Sequence, residues 1–175
     1  LDEVLSVIAC IMSESHTLTH VRPEGGVRMV DVSEKSDSVR TAVATGKVIL
    51  GAEAFQRVQD NDIQKGDVLT TAQIAGIMGA KQTSQLIPLC HDVQIDGGDV
   101  EFTFDEDAHA IEIRAYTKSI GVTGVEMEAL TAVSITALTI YDMCKSVSKG
   151  IRVTDIHLLA KTGGQSGNYR KPDDE

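Results

Sequence analysis

Two patterns in this 175-residue chain predict an α+β domain, with one antiparallel sheet and its helices packed on one face. The first is a pair of alternating runs, Val100/Phe102/Phe104 and Ile111/Ile113/Ala115, separated by the polar stretch DEDAHA. That is a hairpin with one wet face. The second is helical spacing on either side of the hairpin, over residues 67–87 and 125–145. With strand signals near both ends, the order becomes β-α-α-β-β-α-β, which is that of a ferredoxin-like domain.

Taken in order, residues 13–40 are polar and interrupted by glycine around a short apolar centre at Val27 to Val32, and predict an arm over the surface. TAVATGKVIL, residues 41–50, is rich in β-branched and small residues, stops at Gly51 and predicts a strand. A short helix follows over 52–59. KGDVLTTAQIAGIMGAKQTSQLIP places apolar residues at Val68, Ala72, Ala75, Ile77 and Met78 behind Asp67, a ready N-cap, and predicts a helix ending before Pro88. Gly76 and Gly79 lower its propensity and mark close packing on a neighbour. After the hairpin, TGVEMEALTAVSITALTIYDMCK predicts a helix over 125–145, and IRVTDIHLLA closes the fold as a strand. KTGGQSGNYRKPDDE reads as a loose tail. The domain is expected over 18–169, between an N-terminal extension (1–17) and an acidic tail (170–175). Residues 1–11 begin with acids and lack a basic flank, so they make a poor secretory signal, and MSESHTLTH reads as a protein start at Met12.

Sixteen Lys and Arg against 26 Asp and Glu give a formal charge of -10, which works against nucleic acid as a partner. A small phosphorylated ligand needs only a local cationic cluster. No apolar run approaches the roughly 18 residues of a membrane helix, so no membrane partner is expected. Cys10, Cys90 and Cys144 are odd in number and lack C-x-x-C spacing, which fits free thiols in a reducing compartment. His16, His20, His109 and His157 are scattered without ligand spacing, so no metal site is expected.

The 125–145 helix holds its acids at its two ends. Glu128 and Asp142 are fourteen positions apart, or ~21 Å along the axis, and within about 40° of each other around it. One compact site does not easily hold both. The uncharged ALTAVSITALTIY between them implies burial on more than the sheet side, with a second subunit as the expected cover. A two-fold axis near the helix middle would bring the Glu126/Glu128 end of one chain to the Asp142/Lys145 end of the other, giving two mixed sites per dimer.

Asp142 and Lys145 are i and i+3 on one face. Most such pairs are surface ion pairs worth under ~1 kcal/mol. In an uncharged surround, burial pulls a lysine pKa down while the aspartate pushes it up, and the pair becomes a proton-transfer unit. Lys65 stands two residues before Asp67, where an anion would also meet helix N-terminal amides. In LIPLCH, Cys90 beside His91 suggests a nucleophile pair, but neighbouring residues rarely bring their side chains together. His91 is the better ligand contact or proton donor, and Cys90 reads as packing. Lys161 with TGGQSG could wrap phosphate oxygens, although it lacks P-loop order.

Taken together, MVDVSEK, KGDV, AGIMGAK, LIPLCH, TGVEMEALTAVS, YDMCK and LLAKTGG strongly resemble the cyclic pyranopterin monophosphate synthase family (molybdenum cofactor biosynthesis protein C family), from about Leu18 to Tyr169. The resemblance implies a lyase that converts 3′,8-cyclo-7,8-dihydroguanosine triphosphate to cyclic pyranopterin monophosphate with release of pyrophosphate. It also implies a ferredoxin-like homo-hexamer, a trimer of dimers with the pocket between subunits. Asp142, Lys65 and Lys145 match the family's catalytic positions. Leu89, Cys90, His91, Met127 and Glu128 match its substrate-binding segments, and Glu126, Arg40 (in the expected arm) and Lys161 match pocket positions. By the same resemblance Lys65, Arg40 and Lys161 are expected on phosphate oxygens, Glu126, Glu128 and His91 on the purine-derived ring, and Asp142 with Lys145 in proton transfer. A rearrangement without net redox change needs no nicotinamide or flavin, so no cofactor is expected as a requirement, and Mg²⁺ with the triphosphate is left open. The expected compartment is the cytoplasm if Met12 starts the protein, or the mitochondrial matrix if the chain is a trimmed organellar form. The competing expectation is a non-catalytic, nucleotide-binding ferredoxin-like oligomer.

Overall fold

The computed structural model describes residues 25–172. The expected extension 1–17 and the Met12 start lie outside the described residues. The chain divides into two compact units, residues 1–31 and 32–175. Residues 25–31 of the first carry no helix, and the described helices and sheet strands belong to the second.

Strand β1 runs Ser38–Ile49 and buries every second residue, Arg40 through Ala42 and Ala44 to Val48. It begins earlier than its sequence predicts, and Arg40 lies in this strand rather than in an arm. The reason is pairing: Ser38, Val39 and Arg40 continue the ladder opposite Gly121, Ile120 and Ser119. Helix α1, Ala52–Gln59, tucks Phe55 under the hairpin turn, edge-on to Phe104 at 5.5 Å.

Helix α2 covers Val68–Ala80, and Asp67 caps it by accepting from the Thr70 amide and hydroxyl at 2.9 and 2.8 Å. The single helix expected to Ile87 is two. Gln82 breaks it, and α3, Thr83–Leu86, restarts after Thr83 Oγ1 donates to the Ala80 carbonyl at 2.9 Å. That side-chain bond competes with continuation of the backbone ladder.

The hairpin is formed by β2 (Gly97–Asp105) and β3 (Ala110–Gly121). Helix α4, Glu126–Cys144, follows, and then β4, Arg152–Thr162. Strand β4 carries two more residues than β1 along their shared register, and the irregularity at Gly46 coincides with a positive φ at Asp155. Such bulges bend a strand. The expected loose tail is ordered over 161–172: β4 absorbs Lys161 and Thr162, and a short β5, Tyr169–Arg170, pairs back on Ala160 and Lys161.

All strand pairs are antiparallel, in the order β2-β3-β1-β4-β5. The first four strands have the ferredoxin-like arrangement. Helix α4 lies across β1, β3 and β4, while α2 packs on β2 and on α4. Leu138 stays 57% exposed on one face of the uncharged middle of α4, where a second subunit is the expected cover, while the sheet covers one side of it and α2 another. Gly76 and Gly79 are the contact points, where an added Cβ would fall on Thr136 Oγ1 and within 2.7 Å of Ile135 Cγ1, respectively. Ser134 and Thr139 satisfy their hydroxyls on the carbonyls of Leu130 and Ile135, one turn back, which lets small polar residues sit in a dry helix.

Candidate active site

The sequence-predicted residues gather at the two ends of α4. At its C-terminal end, Asp142 accepts from Lys65 Nζ at 2.8 Å through one carboxylate oxygen and from Lys145 Nζ at 2.6 Å through the other. Lys65 Nζ also donates to the Asp142 carbonyl at 2.7 Å, satisfying one of the acceptors that a helix leaves open at its end. Lys65 and Asp142 lie 77 positions apart in sequence, so only folding brings them together.

Hydrogen bonds from Lys145 and then Lys65 hold the Asp142 carboxyl at about 2, and the same contact raises Lys145. The Asp142 side chain is 56% exposed. The sequence leaves burial and the neighbouring aspartate pulling the lysine in opposite directions. In the single chain it is wet and ion-paired, and the carboxylate wins. The resting triad is one anion between two ammonium groups: it is loaded with protons to give, and its aspartate is a weak base.

At the N-terminal end of α4, Arg40, Gly124 and Glu126 line a cavity of about 630 Å³ with Lys35, Ser38 and Gly164. Lys161 reaches Glu126 at 2.8 Å and Ser166 at 3.2 Å. The Arg40 guanidinium donates to the carbonyls of Gly121 and Val122 at 3.3 and 3.2 Å. His91 lines an adjoining cleft that shares Val122 and Thr123 with this cavity. Lys35 is a lining residue that the sequence reading does not single out, although it stands in the MVDVSEK motif, whereas Gly164 lies in the TGGQSG segment read as able to wrap phosphate oxygens.

Glu128 is 3% exposed and forms no salt bridge among the described residues. Burial, with Glu126 adding repulsion, raises its carboxyl from 4.5 to about 7, against a bond to its own backbone amide. The Cys90 thiol is also pushed up, by burial and then by Glu128. A thiolate nucleophile at Cys90 is therefore disfavoured, which agrees with reading this residue as packing. Leu89 is half-buried in the same segment, and Met127 is exposed on the first turn of α4. No cluster with metal-ligand character occurs among the described residues.

The raised Glu128 pKa predicts a pH effect. The folded state holds a proton between about 4.5 and 7 that the unfolded chain has lost, so this contribution is present below 4.5 and lost as pH rises through 7. It amounts to roughly 3 kcal/mol in full. Glu128→Gln should flatten the fall in stability between pH 5 and 8 and should be more stable than wild type at pH 8, read from urea midpoints. Parallel pH profiles for the two proteins would refute this placement of the proton.

The ends of α4 do not meet within the chain. Glu128 and Asp142 are separated by ~21 Å of helix rise. Each end carries its own charged cluster, and no described side chain bridges them.

The MoaC family model matches residues 29–164. The chain is 70% identical over 164 residues to a protein of Salinibacter ruber named cyclic pyranopterin monophosphate synthase, covering 94% of this chain and 96% of the relative. Proteins of the same name from Heliobacterium modesticaldum and Clostridium acetobutylicum are 57% and 51% identical, over 87% and 90% of this chain and 96% and 98% of their own lengths.

Proposed function

Because this chain belongs to the MoaC family, we propose that it is a lyase of molybdenum cofactor biosynthesis that forms cyclic pyranopterin monophosphate. Its substrate on this reading is 3′,8-cyclo-7,8-dihydroguanosine 5′-triphosphate, and pyrophosphate is the leaving group. The observation that carries the reading is the Lys65–Asp142–Lys145 triad. Two ammonium groups fixed by one carboxylate can donate protons and stabilise anionic centres as the ring opens and recloses. Asp142 holds them in place and takes a proton back only once substrate has displaced a lysine from it. Glu128, kept partly neutral, can donate a hydrogen bond to the purine-derived ring, beside His91 and Glu126. Arg40 and Lys161 face the phosphates, joined by Lys65 from the opposite end. Mg²⁺ would accompany the triphosphate as part of the substrate.

A complete pocket on this reading uses the triad end of one protomer and the Arg40 end of another, in a homo-hexamer. Two separate apolar surfaces support such an assembly. Val39 and Ile120 pair across β1 and β3 on the open face of the sheet, and Ile74, Met78 and Leu138 are exposed on the helical layer. A trimer of dimers needs two kinds of interface. The cytoplasm is the compartment proposed. A non-catalytic nucleotide-binding oligomer is not favoured, since the relatives are named as synthases and the proton-bearing triad is assembled.

The test is pyrophosphate release by the purified protein from the cyclised GTP substrate; its absence would remove the activity. The shared pocket is tested by co-expressing Asp142→Asn with Lys161→Ala, each impaired alone. Random assembly restores about a quarter of the sites if the two ends come from different chains. Sites contained in one chain would recover nothing.

A further inference from the structure

Lys65 reaches Asp142 from a loop that is pinned at both ends. Helix α1 closes in a Schellman turn: the Asp62 amide donates to the Arg57 carbonyl at 2.8 Å, the Asn61 amide to the Val58 carbonyl at 3.1 Å, and Asn61 has a φ of +53°, the left-handed residue that such an ending uses. Helix α2 opens on Asp67, whose carboxylate accepts from the Thr70 amide and hydroxyl. Between these ends Ile63 is buried in the core. The path left for the chain through Lys65 is narrow.

Within that span the backbone makes one tight turn. The Gly66 amide donates to the Ile63 carbonyl at 2.8 Å, which puts Lys65 at the third position of a β-turn and Gly66 at the fourth, where glycine is favoured. Gly66 has a φ of +100°, and no atom beyond its chain neighbours lies within 4 Å of the Cβ that another residue would carry there. The demand on position 66 is therefore one of backbone conformation alone. A residue that resists this φ changes the direction in which the chain leaves Lys65 for the α2 cap. The ammonium has little margin for such a change, because it serves two acceptors at once, the Asp142 carboxylate at 2.8 Å and the Asp142 carbonyl at 2.7 Å. Lys145 does not depend on this loop, since it follows Asp142 at the end of α4 itself.

We propose that Gly66 is a positioning residue for the reaction: its left-handed backbone aims Lys65 at both acceptors of Asp142 and so assembles the triad. Ile63 and the Asp67 cap fix the ends between which it acts. The link to turnover rests on the synthase reading above, whereas the Lys65–Asp142 contact belongs to the protein without substrate.

The contact is read without substrate, by labelling wild type, Gly66→Ala and Gly66→Asn with acetic anhydride and locating the label by mass spectrometry, with exposed Lys149 as the internal reference. Melting temperatures confirm folding. Lys65 in Gly66→Ala should label about threefold or more faster than in wild type, because it has lost the charge-assisted bonds that hold its protons. At saturating substrate, pyrophosphate release by this variant should fall about tenfold to a hundredfold, the scale set by an ångström of misplacement. Gly66→Asn should lie between wild type and Gly66→Ala in both readings, because Asn takes positive φ more readily than other side chains. A turn that served stability alone would lower the melting temperature and leave the labelling of Lys65 unchanged. If Gly66→Ala does not fold, Gly66→Asn carries the test. Folded variants whose Lys65 labels like wild type overturn the proposal, and so does faster labelling with turnover at the wild-type rate. Should wild type show no turnover, faster labelling still supports the positioning of Lys65, and only the synthase reading falls.

Discussion

Asp142→Asn should lower pyrophosphate release by about 10²–10⁴-fold, the range expected when a positioned proton-transfer group is lost. The carboxylate uses both oxygens, one for Lys65 at 2.8 Å and one for Lys145 at 2.6 Å. An amide keeps the shape but turns an NH₂ donor toward one ammonium and removes the charge that holds both. Lys65→Ala should be comparably damaging, because it also frees the Asp142 carbonyl at the end of α4. Neither change touches the core: the three side chains are about half exposed. Circular dichroism and the size of the assembly should therefore stay as in wild type. Turnover by Asp142→Asn within a factor of three of wild type would show that the triad is only an ion pair. Single-turnover measurement separates this outcome from a change in binding.

The largest effect on stability is expected at Gly76→Ala, which should cost about 2–3 kcal/mol by overpacking. Its Cβ would fall on Thr136 Oγ1 and lie 3.0 Å from the Ala132 carbonyl. Thr136 is β-branched, stiff and wholly buried, so it cannot swing aside. Its hydroxyl is also buried without a hydrogen-bond partner. Thr136→Ala alone should therefore change stability by less than about 1 kcal/mol, since the lost packing is offset by removal of an orphaned polar group. Combined with Gly76→Ala it should restore at least about 1 kcal/mol, a coupling visible in a double-mutant cycle of urea unfolding. Strict additivity would mean that the contact between α2 and α4 does not run through this pair.

Much of this was legible in the chain itself. Asp67 was readable as a cap because an Asp before an apolar-periodic run has few other uses, and the hairpin because its alternation has period two on both arms. Gly76 and Gly79 were readable as a close contact, though not the partner they touch. The split at Gln82 was hidden because it depends on one hydroxyl, that of Thr83, choosing a backbone acceptor. The early start of β1 was hidden because SVR has no strand signal of its own and becomes a strand only through pairing with β3. The ordered tail was hidden for the same reason: β5 exists because the edge of β4 is there to receive it. The site followed the same division. Motifs named Lys65, Asp142 and Lys145, but their closeness needed a contact across 77 positions.

The sequence by itself determined the alternation of strands and helices, the capping of α2 and the ~21 Å that separates Glu128 from Asp142, because periodicity and rise per residue are local properties of the backbone. Which helix packs on the middle of α4, which carboxyl is raised and which is lowered, and the sealing of Arg40 into β1 were settled by the folded chain. Burial and charge proximity are set by partners distant in sequence, and a linear pattern carries no information about which partner will arrive.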